Sequence, residues 1–288
     1  MTMPPPNSPE PAPSRQRAIL LSALTAGALG LGCAAAQKGY APVNGVRMYY
    51  ELHGDPGDPR PPLVLLHGGG STIETSFGSI LPALAKGRRV IALERQGHGH
   101  TADIDRPFTF AQSAEDTVAV LRQLGVARAD FLGYSNGGHI AIQLALSHPE
   151  IVRKLIIESA MFDREGTDPA FWEGFDHARL EEMPKELRDA YLAVAPHPED
   201  LPTFFAKSVE QMKEFKGWRP EEIHSIQAPT LVLVGDRDLV RAEHAVVMAR
   251  LLPRSQLAIV PGADHLGMSH PPPWVPELIA AFLDSSVP

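Results

Sequence analysis

Short apolar runs recur along this chain, each closed by polar or glycine-rich positions. Pro62-Leu63-Val64-Leu65-Leu66, Val90-Ile91-Ala92-Leu93, Phe131-Leu132, Leu155-Ile156-Ile157, Leu231-Val232-Leu233-Val234 and Leu257-Ala258-Ile259-Val260 are continuous rather than alternating. Such runs suit strands buried on both faces, as in a parallel sheet. Val46 to His53 predicts an opening strand, and Asp55-Pro56-Gly57-Asp58 a turn after it. Between the runs lie helix-like stretches at 74–86, 110–124, 138–147, 241–252 and 274–285. In the second, Phe110, Ala114, Val118 and Leu121 recur at spacings of three and four, giving one apolar stripe. The alternation predicts a parallel sheet with helices on both faces. Ligands of such sheets bind beyond the carboxyl ends of the strands.

The residues just after the apolar runs therefore carry the chemical argument. Gly133-Tyr134-Ser135-Asn136-Gly137 follows Phe131-Leu132 and precedes a helical pattern. A serine on so sharp a turn is lifted out of the backbone ladder, and the glycines make room for the turn. After Leu66 comes His67-Gly68-Gly69-Gly70, whose bare glycines let backbone N–H groups approach a ligand oxygen. Gly235-Asp236-Arg237-Asp238 follows Val234, and Pro261-Gly262-Ala263-Asp264-His265 follows Val260. A serine, an acid and a histidine thus occur in that order, each at a strand end. Of the two acids, Asp238 is better placed to turn back over the sheet. Asp236 suits a loop-shaping role, bonding backbone N–H groups. His98 and His100 form an H-x-H pair, but Thr101 and Ala102 precede Asp103 and no histidine follows it, so the pair reads as a glycine-loop feature and no metal site is expected.

Together these motifs resemble the α/β-hydrolases, from about Gly45 to the last helix. The resemblance rests on His67-Gly68-Gly69-Gly70, Gly97-His98-Gly99, Gly133-Tyr134-Ser135-Asn136-Gly137, Gly235-Asp236-Arg237-Asp238 and Gly262-Ala263-Asp264-His265 in the family's order. Departures are Glu94, where relatives usually carry aspartate, and Asp264, at a position often held by glycine. The resemblance implies an α/β fold, a mostly parallel doubly wound sheet of about eight strands with a helical lid inserted after the sixth. It implies Ser135 as nucleophile, His265 as general base and acid, and Asp238 as the group that orients the imidazole. The oxyanion would be held by the backbone N–H groups of Gly69 and Asn136. No cofactor is required.

The segment from Ser159 to His224 breaks the alternation and is rich in charges, prolines and aromatics. Read as the lid, it would line a pocket for an acyl or alcohol group, with Tyr134, Met161, Phe171, Trp172 and Phe205 as pocket residues. The expected partner is a small or medium carboxylic ester. A lactonase, an amidase or a C–C bond hydrolase could use the same residues, and a non-catalytic binding module would be expected to lack one of them.

Composition narrows this further. The net charge of −8 disfavours a nucleic-acid partner held by a basic surface. The single cysteine, Cys33, leaves the body without an internal disulfide or a thiolate nucleophile. Arg15 and Arg17 precede an uncharged stretch, apolar at first, that ends in small residues at Ala34-Ala35-Ala36. That order predicts a secretory signal and export, periplasmic or secreted. Cys33 would be the lipid-bearing residue of a lipoprotein, although Gly30 stands where such signals usually carry leucine. The alternatives are an uncleaved membrane anchor and a disordered leader on a cytoplasmic protein. Membrane contact is expected only through this segment. The reading divides the chain into a leader (1–40), a first core part (41–160), a lid (161–226) and a second core part (227–288).

Overall fold

The computed structural model describes residues 1–3 and 36–286. The predicted signal and Cys33 lie outside the described residues. Eight strands form one sheet: β1 (Gln37–Val43), β2 (Val46–His53), β3 (Leu63–Leu66), β4 (Val90–Glu94), β5 (Ala129–Tyr134), β6 (Val152–Glu158), β7 (Thr230–Arg237) and β8 (Ser255–Asp264). Their order is β1-β2-β4-β3-β5-β6-β7-β8. The β1-β2 and β2-β4 pairs are antiparallel, and every other pair is parallel. β1, which the hydrophobic pattern does not predict, starts at Gln37, inside the stretch read as leader. Its outward positions are exposed and its apolar inward ones, Ala41 and Val43, are buried, which is the alternation of an edge strand and a weak sequence signal.

Every residue of β3, β4 and β5 is buried, as continuous apolar runs require. Phe131, fully buried in β5, contributes on the order of 2–3 kcal/mol by leaving water. The helices are α1 (Ile73–Phe77), α2 (Leu81–Leu84), α3 (Phe110–Gln123), α4 (Asn136–Ser147), α5 (Pro169–Gly174), α6 (Lys185–Val194), α7 (Leu201–Glu214), α8 (Pro220–Ser225), α9 (Ala242–Leu251) and α10 (Trp274–Asp284). The stretch read as one helix over 74–86 is two short ones. Gly78 is the α1 C-cap, and Pro82 falls in the first turn of α2, where a missing N–H costs nothing. Thr109 caps α3 by accepting the Gln112 N–H at 3.0 Å. The stripe of Ala114, Val118 and Leu121 is buried in the core on one face of the sheet.

Helices α5 to α8 occupy the interval between β6 and β7, the position expected for the lid. Phe204 of α7 is buried against Phe108 and His98, and Lys207 Nζ donates to Asp103 Oδ2 at 2.6 Å. Among the described residues no helix is long and apolar enough to cross a membrane.

The turn between β5 and α4 has no room for side chains at its two flanking glycines. A Cβ on Gly137 would lie 1.8 Å from the Leu66 carbonyl oxygen, and one on Gly133 would lie 2.1 Å from that of Gly137. A helical glycine-to-alanine change ordinarily gains about 1 kcal/mol. Gly137→Ala is expected instead to destabilise by about 4 kcal/mol or more, because backbone must move. Gly174→Ala, where a Cβ would meet nothing within 4 Å, should be neutral or slightly stabilising. Urea unfolding of the two variants beside the wild type checks both.

Candidate active site

Ser135 stands at the head of α4 with φ 53° and ψ −121°. A non-glycine residue with positive φ stores strain, typically about 1–3 kcal/mol, and needs surrounding structure to hold it. Its backbone N–H donates to the Glu158 carbonyl at 2.8 Å, which ties the turn to β6. A serine at a helix N-cap normally accepts from an N–H of the first turn. Ser135 makes no such bond; its hydroxyl instead lies 3.0 Å from His265 Nε2. The other ring nitrogen, Nδ1, lies 2.7 Å from Asp238 Oδ1. Three residues separated widely in sequence therefore meet in one line beyond the strand ends.

Asp238 is fixed from three sides. Besides His265, it accepts from the Ser159 hydroxyl at 2.5 Å and from the Val240 N–H at 3.1 Å. Burial alone would push its carboxyl up, but these hydrogen bonds and the facing imidazole hold it below the ordinary aspartate value. Asp236 takes the loop-shaping position, accepting the Gly262 N–H at 2.7 Å. Asp264 turns from the imidazole to accept the Gly267 N–H at 2.7 Å. The Tyr134 hydroxyl donates to the His265 carbonyl at 2.7 Å, bracing the histidine loop from the nucleophile strand.

Gly69 and Asn136 line the same cavity as Ser135 and His265. The Gly68 N–H is engaged by Ser76 Oγ at 3.2 Å, and Asn136 is the first residue of α4, whose N–H has no carbonyl a turn earlier. A Cβ on Gly68 would sit 3.4 Å from that of Ser135, so the glycine loop lies directly against the nucleophile turn.

The cavity measures about 490 Å³ and is walled mainly by apolar side chains. That is a usual size for a small-molecule site. Tyr134, Met161, Phe171 and Phe205 line it. Trp172 does not, which corrects its nomination as a pocket residue. Its ring stacks on Phe215 at 5.7 Å, and its Nε1 donates to the Arg164 carbonyl at 2.9 Å. It packs among the other residues between β6 and β7, while Phe171 meets the cavity.

The H-x-H residues are engaged within their own loop. His98 Nδ1 lies 2.9 Å from the Gln96 carbonyl, and His100 Nδ1 lies 2.9 Å from Glu94 Oε2. Among the described residues no group of three or more His, Cys, Asp or Glu is placed to hold a metal ion.

Several residues beside the site gave no sequence signal. Ser159, at φ 52°, is the second strained serine and holds Asp238. Glu158, fully buried one residue earlier, makes no side-chain hydrogen bond through Oε1. Burial, and then the charge of Asp238, push its carboxyl up to about 8. Arg95 and His139 are buried, His139 in the wall of the cavity.

A strained serine bonded to an imidazole that is bonded in turn to a buried carboxylate is the arrangement of a serine hydrolase. The comparisons agree with the class. Residues 63–277 match the model of the Alpha/beta hydrolase family, and the chain belongs to that family. It is 26% identical over 255 residues to the sn-1-specific diacylglycerol lipase ABHD11 of Mus musculus, covering 77% of this chain and 81% of that one. It is 28% identical over 238 residues to serine hydrolase BPHL of Homo sapiens, covering 77% and 78%. Among solved structures, Est816, described as an N-acyl homoserine lactone degrading enzyme, superposes with a TM-score of 0.67 at 26% identity, over 84% of this chain and 99% of that one.

Glu158 sets a stability prediction. Its folded pKa lies above the glutamate value of 4.5, so the folded state holds the proton longer than the unfolded state. The stability this gives is full below about pH 4.5 and is lost as pH rises through about 8. Glu158→Gln cannot ionise. Its stability relative to wild type should rise between pH 5 and pH 8.5 by about 2–4 kcal/mol. Urea midpoints of both proteins at the two pH values measure this, and a constant difference would contradict it.

Proposed function

We propose that this hydrolase cleaves carboxylic esters of small to medium size through an acyl-enzyme. The observation that carries the reading is the continuous chain from Ser135 Oγ through His265 to Asp238, at 3.0 and 2.7 Å. Ser135 Oγ attacks the acyl carbon as His265 Nε2 takes its proton. The negative charge that develops on the carbonyl oxygen is met by the N–H groups of Gly69 and Asn136. His265 then delivers the proton to the departing alcohol, and the same steps with water release the acid. Asp238 keeps the Nδ1 proton in place and stabilises the imidazolium. The apolar cavity suits a hydrocarbon acyl or alcohol group, and the lipase among the relatives is named for an ester substrate. The order of charged, apolar and small residues in the leader supports an exported protein.

A lactone is the second reading, favoured by the likeness to Est816. A lactone is a cyclic ester, so the same steps open it. Hydrolysis of a matched linear ester and lactone series by the purified protein distinguishes the two.

With a short-chain aryl ester, Ser135→Ala should lower kcat by about 10⁴-fold or more with KM changed little. Asp238→Asn should lower kcat by about 10⁴-fold, because the imidazole then favours the wrong tautomer. Undiminished turnover by purified Ser135→Ala would refute the assignment.

A further inference from the structure

Seven buried side-chain polar atoms among the described residues have no hydrogen-bond partner, and four of them belong to one neighbourhood: Arg95 Nε, both ring nitrogens of His139 and Gln211 Nε2. His139 is 1% exposed and lines the cavity that holds Ser135 and His265. Phe110 and Phe215 flank its ring at 4.8 and 4.7 Å. The Met161 main chain lies beside the ring without meeting hydrogen-bond geometry. Burial, and the charge of Arg95, keep the ring neutral, its pKa pushed down to about 3.

Arg95 is the second part of the neighbourhood. Its guanidinium reaches Gln211 Oε1 at 3.3 Å and His98 Nε2 at 2.9 Å, both uncharged partners. Among the described residues it forms no salt bridge, although it is only 6% exposed. The nearest carboxylate in sequence, Glu94, is engaged by His100 and by the Ile73 N–H. Arg95 Nη2 would lie 3.9 Å from a Cβ on Gly69, so the cation sits directly behind the glycine loop that lines the cavity. A buried charge without a counter-ion is strongly unfavourable, and a buried donor without an acceptor costs about 1–3 kcal/mol. The atoms left unmatched are mostly N–H donors beside a positive charge. What they lack is an anionic acceptor.

We propose that the floor of the cavity, formed by His139 with Arg95 and Gln211 behind it, is a subsite for a carboxylate carried on the acyl portion of the substrate. His139 lies four residues past Ser135 on α4, about 6 Å along the helix. An acyl chain of four to six carbons ending in a carboxylate spans that interval. A monoester of a short dicarboxylic acid is therefore the substrate class: the ester carbonyl at Ser135, the apolar methylenes against Met212 and Phe204, the carboxylate at the floor. The inference rests on Ser135 as nucleophile and adds a selectivity that this role alone does not require. Sites built to pair a polar substrate group discriminate strongly against analogues that lack it, since their own groups are then left unpaired.

The experiment compares background-corrected kcat/KM for 4-nitrophenyl monoesters of succinic, glutaric and adipic acid with the neutral butyrate, pentanoate and hexanoate esters. In wild type at least one charged ester should exceed its neutral counterpart by about tenfold or more. Arg95→Met and His139→Leu should each cut that ratio by about tenfold. A second measurement does not depend on turnover: calorimetric titration of Ser135→Ala with free glutarate should show binding that pentanamide does not. A wild-type preference for every neutral ester, or glutarate binding no tighter than pentanamide, overturns the subsite. Full turnover of both ester series by Ser135→Ala would instead overturn the nucleophile assignment, and the glutarate titration would still decide the subsite.

Discussion

The left-handed turn at Ser135 is the constraint on which the rest depends. A serine with positive φ is unfavourable by itself, and here close contacts hold it. Gly137 lies against the Leu66 carbonyl, Gly133 lies against Gly137, and the Ser135 N–H is fixed to β6. The turn is thus built from three neighbouring strands of the sheet centre, β3, β5 and β6. Its consequence is chemical: the hydroxyl that would have capped α4 is aimed at His265. The strain is the means by which an ordinary helix-capping residue becomes available as a nucleophile.

The second strained serine serves the same end. Ser159, at the close of β6, orients Asp238, and the Tyr134 hydroxyl holds the backbone of the histidine loop. The donors and acceptors around the reacting line are nearly all matched. Beside the cavity the pattern differs: Arg95, which forms no salt bridge among the described residues, lies near His67, His98 and His139, each kept neutral by burial and by that same charge. The contrast between the matched groups of Ser135, His265 and Asp238 and the unmatched donors near His139 is what the proposed carboxylate subsite rests on.

Much of this was legible in the sequence, because parallel strands buried on both faces must read as continuous apolar runs and the residues after them must sit at one edge. That reasoning selects Ser135, Asp238 and His265, which the fold brings within 3.0 and 2.7 Å of one another, and Asp236, which accepts the Gly262 N–H. What escaped has physical reasons. β1 alternates weakly at the sheet edge, so only Ala41 and Val43 report its inward face. Trp172 and Phe171 are adjacent aromatics, and which one meets the cavity depends on the rotation of a six-residue helix. Ser159, Glu158, Arg95 and His139 are single polar residues in or beside apolar stretches. Their importance lies in partners distant in sequence, or in the lack of them.

The central claim is that Ser135 is made reactive by its place in this turn. A fluorophosphonate reacts covalently with an activated serine hydroxyl, so intact-mass and peptide analysis after brief exposure reads that claim directly. One phosphonyl group on the peptide containing Ser135, absent after prior unfolding, is the predicted result. A folded protein that takes up no label, or takes it only at other residues, would contradict the account.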